Sequence, residues 1–164
     1  MLDRMRDEDF ERLYDAEAPG LFSFLAYRTG DRALAEVLLA DTFERALRAR
    51  RRFDRRRGSE KTWIYAIALN LLRDHARRAA AETRALERTG ARAEADEDPA
   101  LSGVEHRDLV ARALAALAPE EREAIALRFG AELTVPEIAA VLREPLTTVE
   151  GRVYRALRKL RAAL

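Results

Sequence analysis

Cysteine is absent from this 164-residue chain. That removes disulfides, thiolate metal sites and cysteine nucleophiles together, and makes a reducing cytoplasm the expected home. Histidine is almost as scarce. His75 and His106 are the only two, far apart in sequence, which leaves little for a zinc site or a histidine-based triad. No run of about eighteen apolar residues occurs, so no membrane insertion is expected. The opening MLDRMRDEDF is charged throughout and lacks the apolar centre of a signal peptide. No P-loop, GxGxxG or HExxH is present. Ser23, Ser59 and Ser102 have no histidine at a suggestive spacing, and Asp74 beside His75 reads as surface or capping chemistry. Neither a catalytic residue, a metal nor a cofactor is expected, and the chain reads as a non-enzyme.

Glycine and proline, at 7 and 5 residues, are too few to punctuate a β fold. Valine and threonine never alternate over a strand length. Ala, Leu, Arg and Glu dominate, and these are strong helix formers. The fold class read from this is all-α.

The charge is abundant but segregated. The net charge is only +1, yet residues 1–43 hold 5 basic and 10 acidic side chains and residues 44–78 hold 12 and 4. Residues 79–121 return to 5 and 10, and residues 122–164 hold 8 and 5. Two separated basic blocks suit two contacts with one polyanion.

Helical periodicity organises most of the chain. Phe10, Leu13, Tyr14, Leu21, Phe22 and Leu25 form a core stripe, with a bend expected at Pro19-Gly20. Thr29-Gly30 ends that helix and Asp31 caps the next, which runs into the basic stretch Arg48 to Arg52. Phe53 to Ser59 reads as a loop, and residues 61–78 as a helix with Ile64, Ile67, Ala68, Leu71 and Leu72 on its apolar face. From Ala79 to about Gly103 bulky apolar residues nearly vanish, as expected of a tether that is partly helical at most. Four helices follow. Val110, Leu114 and Leu117 mark the first, Pro119 opens the second, Thr134 and Glu137 have capping-box spacing, and Thr147 or Thr148 caps the last. The organisation expected is two small helical domains, residues 1–80 and 106–164, joined by a flexible acidic linker over 81–105.

Two constellations stand out. The C-terminal one is a short helix, a tight turn at Arg143-Glu144-Pro145, and a basic helix TVEGRVYRALRKLRAAL. This is helix-turn-helix grammar, with Val149, Val153, Ala156, Leu157 and Leu160 facing inward and Arg152, Arg155, Arg158, Lys159 and Arg161 facing out. A helix fits the major groove, where its first turns reach base edges and arginines neutralise phosphates. An amphipathic helix with a solvated basic face is the plainer reading. The second constellation, residues 50–78, interleaves an arginine-dense loop with Phe53, Trp63 and Tyr65 and with Asn70. Cations beside aromatics suit unstacked single strands. The plainer reading places Trp63 and Tyr65 in the core. Glu36, Asp41 and Glu44 on the second helix offer an acidic face to a protein partner, or are simply solvated.

Three stretches in order carry a family resemblance: FERLYDAEAPGLFSFLAYRTGDRALAEVLLADTFERALR, FDRRRGSEKTWIYAIALNLLRDHARR, and LAALAPEEREAIALRF…LTVPEIAAVL…TTVEGRVYRALRKLR. The chain resembles bacterial RNA polymerase sigma factors of the extracytoplasmic-function class. The resemblance implies a protein that joins core RNA polymerase, directs it to promoters and helps open the duplex. It implies an N-terminal domain holding the −10 element as single strand, with a flipped-base pocket made by the loop Gly58 to Thr62 and the helix carrying Asn70. The −10 contacts it assigns are Arg56, Arg57, Ser59, Lys61, Trp63, Asn70, Arg73, Asp74, Arg77 and Arg78. The −35 duplex contacts are Thr147, Thr148, Glu150, Gly151, Arg152, Arg155, Arg158 and Lys159. Core polymerase would meet Glu36, Val37, Ala40, Asp41 and Glu44, and an anti-sigma factor would mask these faces.

The chain departs from the family pattern in three places. Val37 and Ala40 stand where the family usually has an acidic residue and a glutamine, so the polymerase contact is weaker, rearranged or more hydrophobic. Arg143 replaces the turn glycine at a position that often needs positive φ. Glu150-Gly151 stands where Lys-Ser is common, which puts the −35 sequence in doubt more than the function. Two other readings stay open: a sigma-like DNA-binding regulator that does not engage polymerase, and a helical protein-interaction adaptor.

Overall fold

In a computed structural model, which describes residues 5–90 and 105–164, every regular element is helical. Asp31 opens α2 (Arg32–Ala49) by accepting the Leu34 N–H at 3.1 Å, just after Gly30 has closed α1 (Asp7–Thr29) in the left-handed conformation. Such caps satisfy helix-end groups that have no partner within the helix. Thr134 and Glu137 form the expected reciprocal box at the start of α6 (Val135–Leu142), with bonds of 3.0 and 3.2 Å. Pro119 sits at the start of α5 (Pro119–Ile125). The remaining helices are α3 (Glu60–Thr89), α4 (Glu105–Ala115) and α7 (Leu146–Ala163).

Four local features differ from the sequence expectation or add to it. The Pro19-Gly20 step does not interrupt α1. A Cβ at Gly20 would lie 3.2 Å from the Tyr65 hydroxyl, so glycine there permits close approach of α1 and α3. The last helix is not capped by Thr147 or Thr148. Pro145, with φ −59° and ψ 142°, already has the extended geometry of an N-cap, so both threonines fall in the first turn of α7 and stay exposed. Helix α3 runs to Thr89, through the first part of the segment expected as a tether, while 91–104 lie outside the described residues. Finally, α5 passes into a π-helical turn at Ala126–Gly130.

Leu21, Phe24 and Leu25 of α1, Ala35 and Ala46 of α2, and Ile64, Tyr65, Ala68 and Leu69 of α3 form a core at essentially zero exposure. That core continues without a break into Ala124, Leu127, Leu133, Ile138 and Val149 of the C-terminal half. α1 packs on the π-turn and α3 on α6. A second small cluster, Leu117, Ile125 and Ala156, ties α5 to α7. Arg122 fastens α4 there by donating to the Leu114, Ala115 and Leu117 carbonyls at 3.0–3.1 Å.

Polar contacts cross between the halves as well. Glu123 of α5 accepts from Arg73 of α3 at 2.8 Å and faces Arg28 of α1 at 3.8 Å. Burial pushes the Arg28 guanidinium below its ordinary value while Glu123 acts in the opposite sense. The buried Arg28 Nε has no hydrogen-bond partner.

Candidate nucleic-acid interface

The loop between α2 and α3 is built to hold arginines outward. Phe53 is buried and its ring lies 5.1 Å from that of Trp63, anchoring the loop to α3. Asp54 accepts the Arg56 N–H at 3.0 Å and turns the chain into a short 3₁₀ segment, Arg55–Arg57. Arg51, Arg52, Arg56 and Arg57 are left exposed. Ser59 then caps α3, its Oγ accepting the Thr62 N–H at 3.1 Å. The cap spends part of the hydrogen-bonding capacity of a side chain expected at DNA.

Between this loop and the start of α1 lies a cleft of about 1120 Å³, lined by Arg6, Asp9, Arg12, Glu17, Arg56, Arg57, Ser59 and Lys61 among others. The backbone N–H of Arg6, at 3.1 Å, holds the Asp9 carboxyl below the ordinary carboxylate range, and the Arg12 guanidinium acts in the same direction. Burial pushes Glu17 up, and nearby Lys61 offsets part of that. The α1 wall carries no signal in the sequence beyond ordinary surface charge, so Arg6, Asp9 and Arg12 were not anticipated.

Asn70 belongs to a different place. It is exposed in a second cleft of about 720 Å³ with Arg45, Arg73, Asp74 and Arg77. Nine residues separate Asn70 from Lys61, roughly 13 Å along a helix rising about 1.5 Å per residue. The structure therefore brings the loop residues together and Asn70 with the later arginines together, but in two clefts rather than one. Arg77 is hydrogen-bonded to Asp74, Arg73 is engaged by Glu123, and Arg78 is exposed.

The aromatics divide. Tyr65 is 1% exposed, its ring 6.0 Å from that of Phe24. It is a core residue and unavailable for stacking, which corrects its place in the aromatic constellation. Burial drives its phenol well above the ordinary range. Trp63 is only partly buried and borders a smaller cavity of about 250 Å³ shared with Arg57, Ala140 and Arg143. The turn of the C-terminal half thus sits beside the arginine loop.

The helix-turn-helix is present as α6, the turn and α7. Arg143 takes φ 55° and ψ 45°, the left-handed conformation expected there of glycine. Glu144 beside it grips Arg152 through two hydrogen bonds, and the Arg152 side chain is only 18% exposed. Lys159 is likewise engaged, by the buried Glu121 of α5 at 2.8 Å. Thr147, Thr148, Glu150, Arg155 and Arg158 are exposed and Gly151 is partly so. Leu157, expected inward, is exposed, while Val149, Val153 and Ala156 are buried. Tyr154, 67% exposed, went unremarked in the sequence, although its spacing from Gly151 and Arg158 places it on the same face.

On α2, Glu36, Val37, Ala40, Asp41 and Glu44 are all exposed, with Val37 at 56%. Glu44 pairs with Arg48 at 2.6 Å. The face is mixed acidic and apolar, and buried Ala35, Leu38, Thr42, Phe43 and Ala46 lie on the other side. Among the described residues no group of side chains is arranged to hold a metal, and no helix is long and apolar enough to cross a membrane.

Two family models match: Sigma-70 region 2 over residues 13–82 and Sigma-70, region 4 over residues 107–160. The chain is 32% identical over 157 residues to the ECF RNA polymerase sigma factor BldN of Streptomyces coelicolor, covering 92% of this chain and 58% of that protein. It is 34% identical over 148 residues to the ECF sigma factor SigC of Mycobacterium tuberculosis, covering 89% of this chain and 78% of SigC. Among solved structures, the sigma factor RpoE in complex with the anti-sigma factor NepR, from Bartonella quintana, superposes with a TM-score of 0.75 at 25% identity, covering 95% of this chain and 96% of that one.

Proposed function

The chain belongs to the extracytoplasmic-function class of RNA polymerase sigma factors, and we propose that its surfaces divide the work of initiation three ways. The exposed face of α2 from Glu36 to Glu44 docks on core polymerase. The arginine loop, its cleft and the face of α3 around Asn70 hold the −10 element as an opened strand. The exposed face of α7 reads the −35 element as duplex. Residues 1–80 and 106–164 act as the two modules, with the linker between them over 81–105. The factor works in the cytoplasm and supplies no catalytic chemistry of its own. An anti-sigma protein regulates it by covering the α2 face and the arginine loop.

The observation that carries this reading is the set of exposed arginines on a 3₁₀ turn held rigid by the Phe53–Trp63 contact and by the Ser59 cap. Fixed cations beside an open cleft suit a polyanion strand. The two departures on α2 make the polymerase contact more apolar. Val37 is well exposed, and burying it against a partner favours association by roughly 25 cal/mol per Å² of apolar surface removed from water.

Run-off transcription with reconstituted holoenzyme tests it. Replacing Arg56 and Arg57 together with alanine, or Asn70 alone, is expected to reduce open-complex formation on a duplex promoter, with less effect on a template already mismatched at −10. Full activity of both variants on duplex would remove the −10 assignment. Failure of the wild-type chain to initiate with any core polymerase would favour a regulator that has lost polymerase.

A further inference from the structure

The reading helix has a feature that its charge pattern hides. A Cβ built on Gly151 would lie 3.0 Å from an Arg155 terminal nitrogen and within 3.9 Å of the rest of that guanidinium. Arg155 therefore lies back over position 151, one turn toward the start of α7. That direction follows from helix geometry, since side chains lean toward the N-terminus over the residue four before. Any other residue at 151 would push the guanidinium away from the helix surface.

The neighbouring arginine is occupied. Arg152 is held by Glu144 through two hydrogen bonds and is largely buried. Arg155 has no ion-pair partner among the described residues, and it is exposed on the same face as Thr147 and Tyr154. A free guanidinium lying flat near the first turns of a groove-binding helix is suited to the O6 and N7 acceptors of guanine.

We propose that Gly151 is a specificity-determining position. By lacking a side chain, it places the Arg155 guanidinium over the first turns of α7, so that Arg155 selects one guanine of the −35 duplex. Arg152 acts as a positioning residue that holds the turn. This rests on the assignment of α7 to the −35 element.

The test uses holoenzyme on a promoter library randomised at −35, with transcripts counted by sequence. Wild type is expected to favour guanine at one position. Arg155→Ala abolishes that preference alone, by roughly five-fold or more, the range of one bidentate arginine–guanine contact. Gly151→Ala weakens or moves the same preference, although alanine favours the helix and the variant should melt no lower than wild type. The double variant should match Arg155→Ala, since the two substitutions act through one contact. An unchanged base preference in Gly151→Ala, equal losses at every position, or additive losses in the double variant would each overturn the proposal. If wild type shows no preference anywhere in the −35 window, the assignment of α7 falls first and this proposal falls with it.

Discussion

Replacing Glu123 with glutamine should loosen the packing of the two halves. The Glu123 carboxylate is 13% exposed and meets two cations on the N-terminal half: Arg73, about half exposed, at 2.8 Å, and Arg28, 21% exposed, at 3.8 Å. Glutamine keeps the shape and one acceptor oxygen, so the Arg73 hydrogen bond survives in neutral form. The charge does not survive. Arg28, whose Nε already lacks a hydrogen-bond partner, would be left buried with only like charges, Arg73 and Arg122, acting on it. Exposed pairs contribute roughly 0.2–1 kcal/mol, while breaking a buried pair costs about 3–5 kcal/mol. This site is intermediate, so a loss of about 2 kcal/mol from the packed state is expected, roughly a 30-fold shift toward separation at 1.4 kcal/mol per decade.

The absence of native cysteine makes the measurement direct. Ala33→Cys on α2 and Ala162→Cys at the end of α7 are both exposed sites, and dyes on them report the distance between the halves by energy transfer. The Glu123→Gln chain should show a lower or broader transfer distribution than the parent. Adding Arg28→Gln, which removes the stranded cation, should restore much of it. Identical distributions in the parent and Glu123→Gln would refute the reasoning, because Glu123 would then contribute nothing to the packing.

Two further outcomes concern the turn before α7. Arg143→Gly should stabilise the fold by about 0.5–1 kcal/mol in chemical denaturation, since a non-glycine residue in the left-handed region costs roughly 1–2 kcal/mol and glycine returns part of that as unfolded-state entropy; no gain would mean that the contacts of Arg143 beside Trp63 outweigh its strain. Arg152→Ala should lose about 1–2 kcal/mol of stability, as expected for charge-assisted hydrogen bonds to a partly buried carboxylate, and should lose −35 binding along with it. A loss of −35 binding with unchanged stability would instead make Arg152 a direct DNA contact.

The sequence was most legible where local chemistry decides the structure. Asp31, Gly30, Thr134 with Glu137, and Pro119 set helix ends through bonds spanning a few residues, and all four act as expected. Thr147 and Thr148 misled because a proline two or three residues earlier already supplies the extended geometry of a cap. Periodicity identified the apolar faces, but not which aromatic on α3 faces inward. Tyr65 and Trp63 are two positions apart, and only the arrival of Phe24 from α1 buries the first. Pairings across long separations left no trace at all. Nothing near Arg73 in the chain indicates Glu123, and nothing near Lys159 indicates Glu121. Counting arginines therefore overstated the cations free for DNA on both basic blocks.

The continuous core has a consequence for promoter engagement. Elements centred about 25 base pairs apart are separated by roughly 85 Å of straight duplex at 3.4 Å per pair. The longest element here, the 30-residue α3, spans only about 45 Å at 1.5 Å per residue. With α6 packed on α3 and Arg143 beside Trp63, the arginine loop and α7 cannot lie 85 Å apart. If both elements are read as proposed, the halves must part first. Parting exposes the apolar residues that join them, and only contacts absent from the free chain can compensate for that exposure. Core polymerase is the partner that supplies them. Free factor would then be a weak DNA binder by geometry, a stronger constraint than the modest net charge of +1, because no change in salt can stretch a packed core across the promoter.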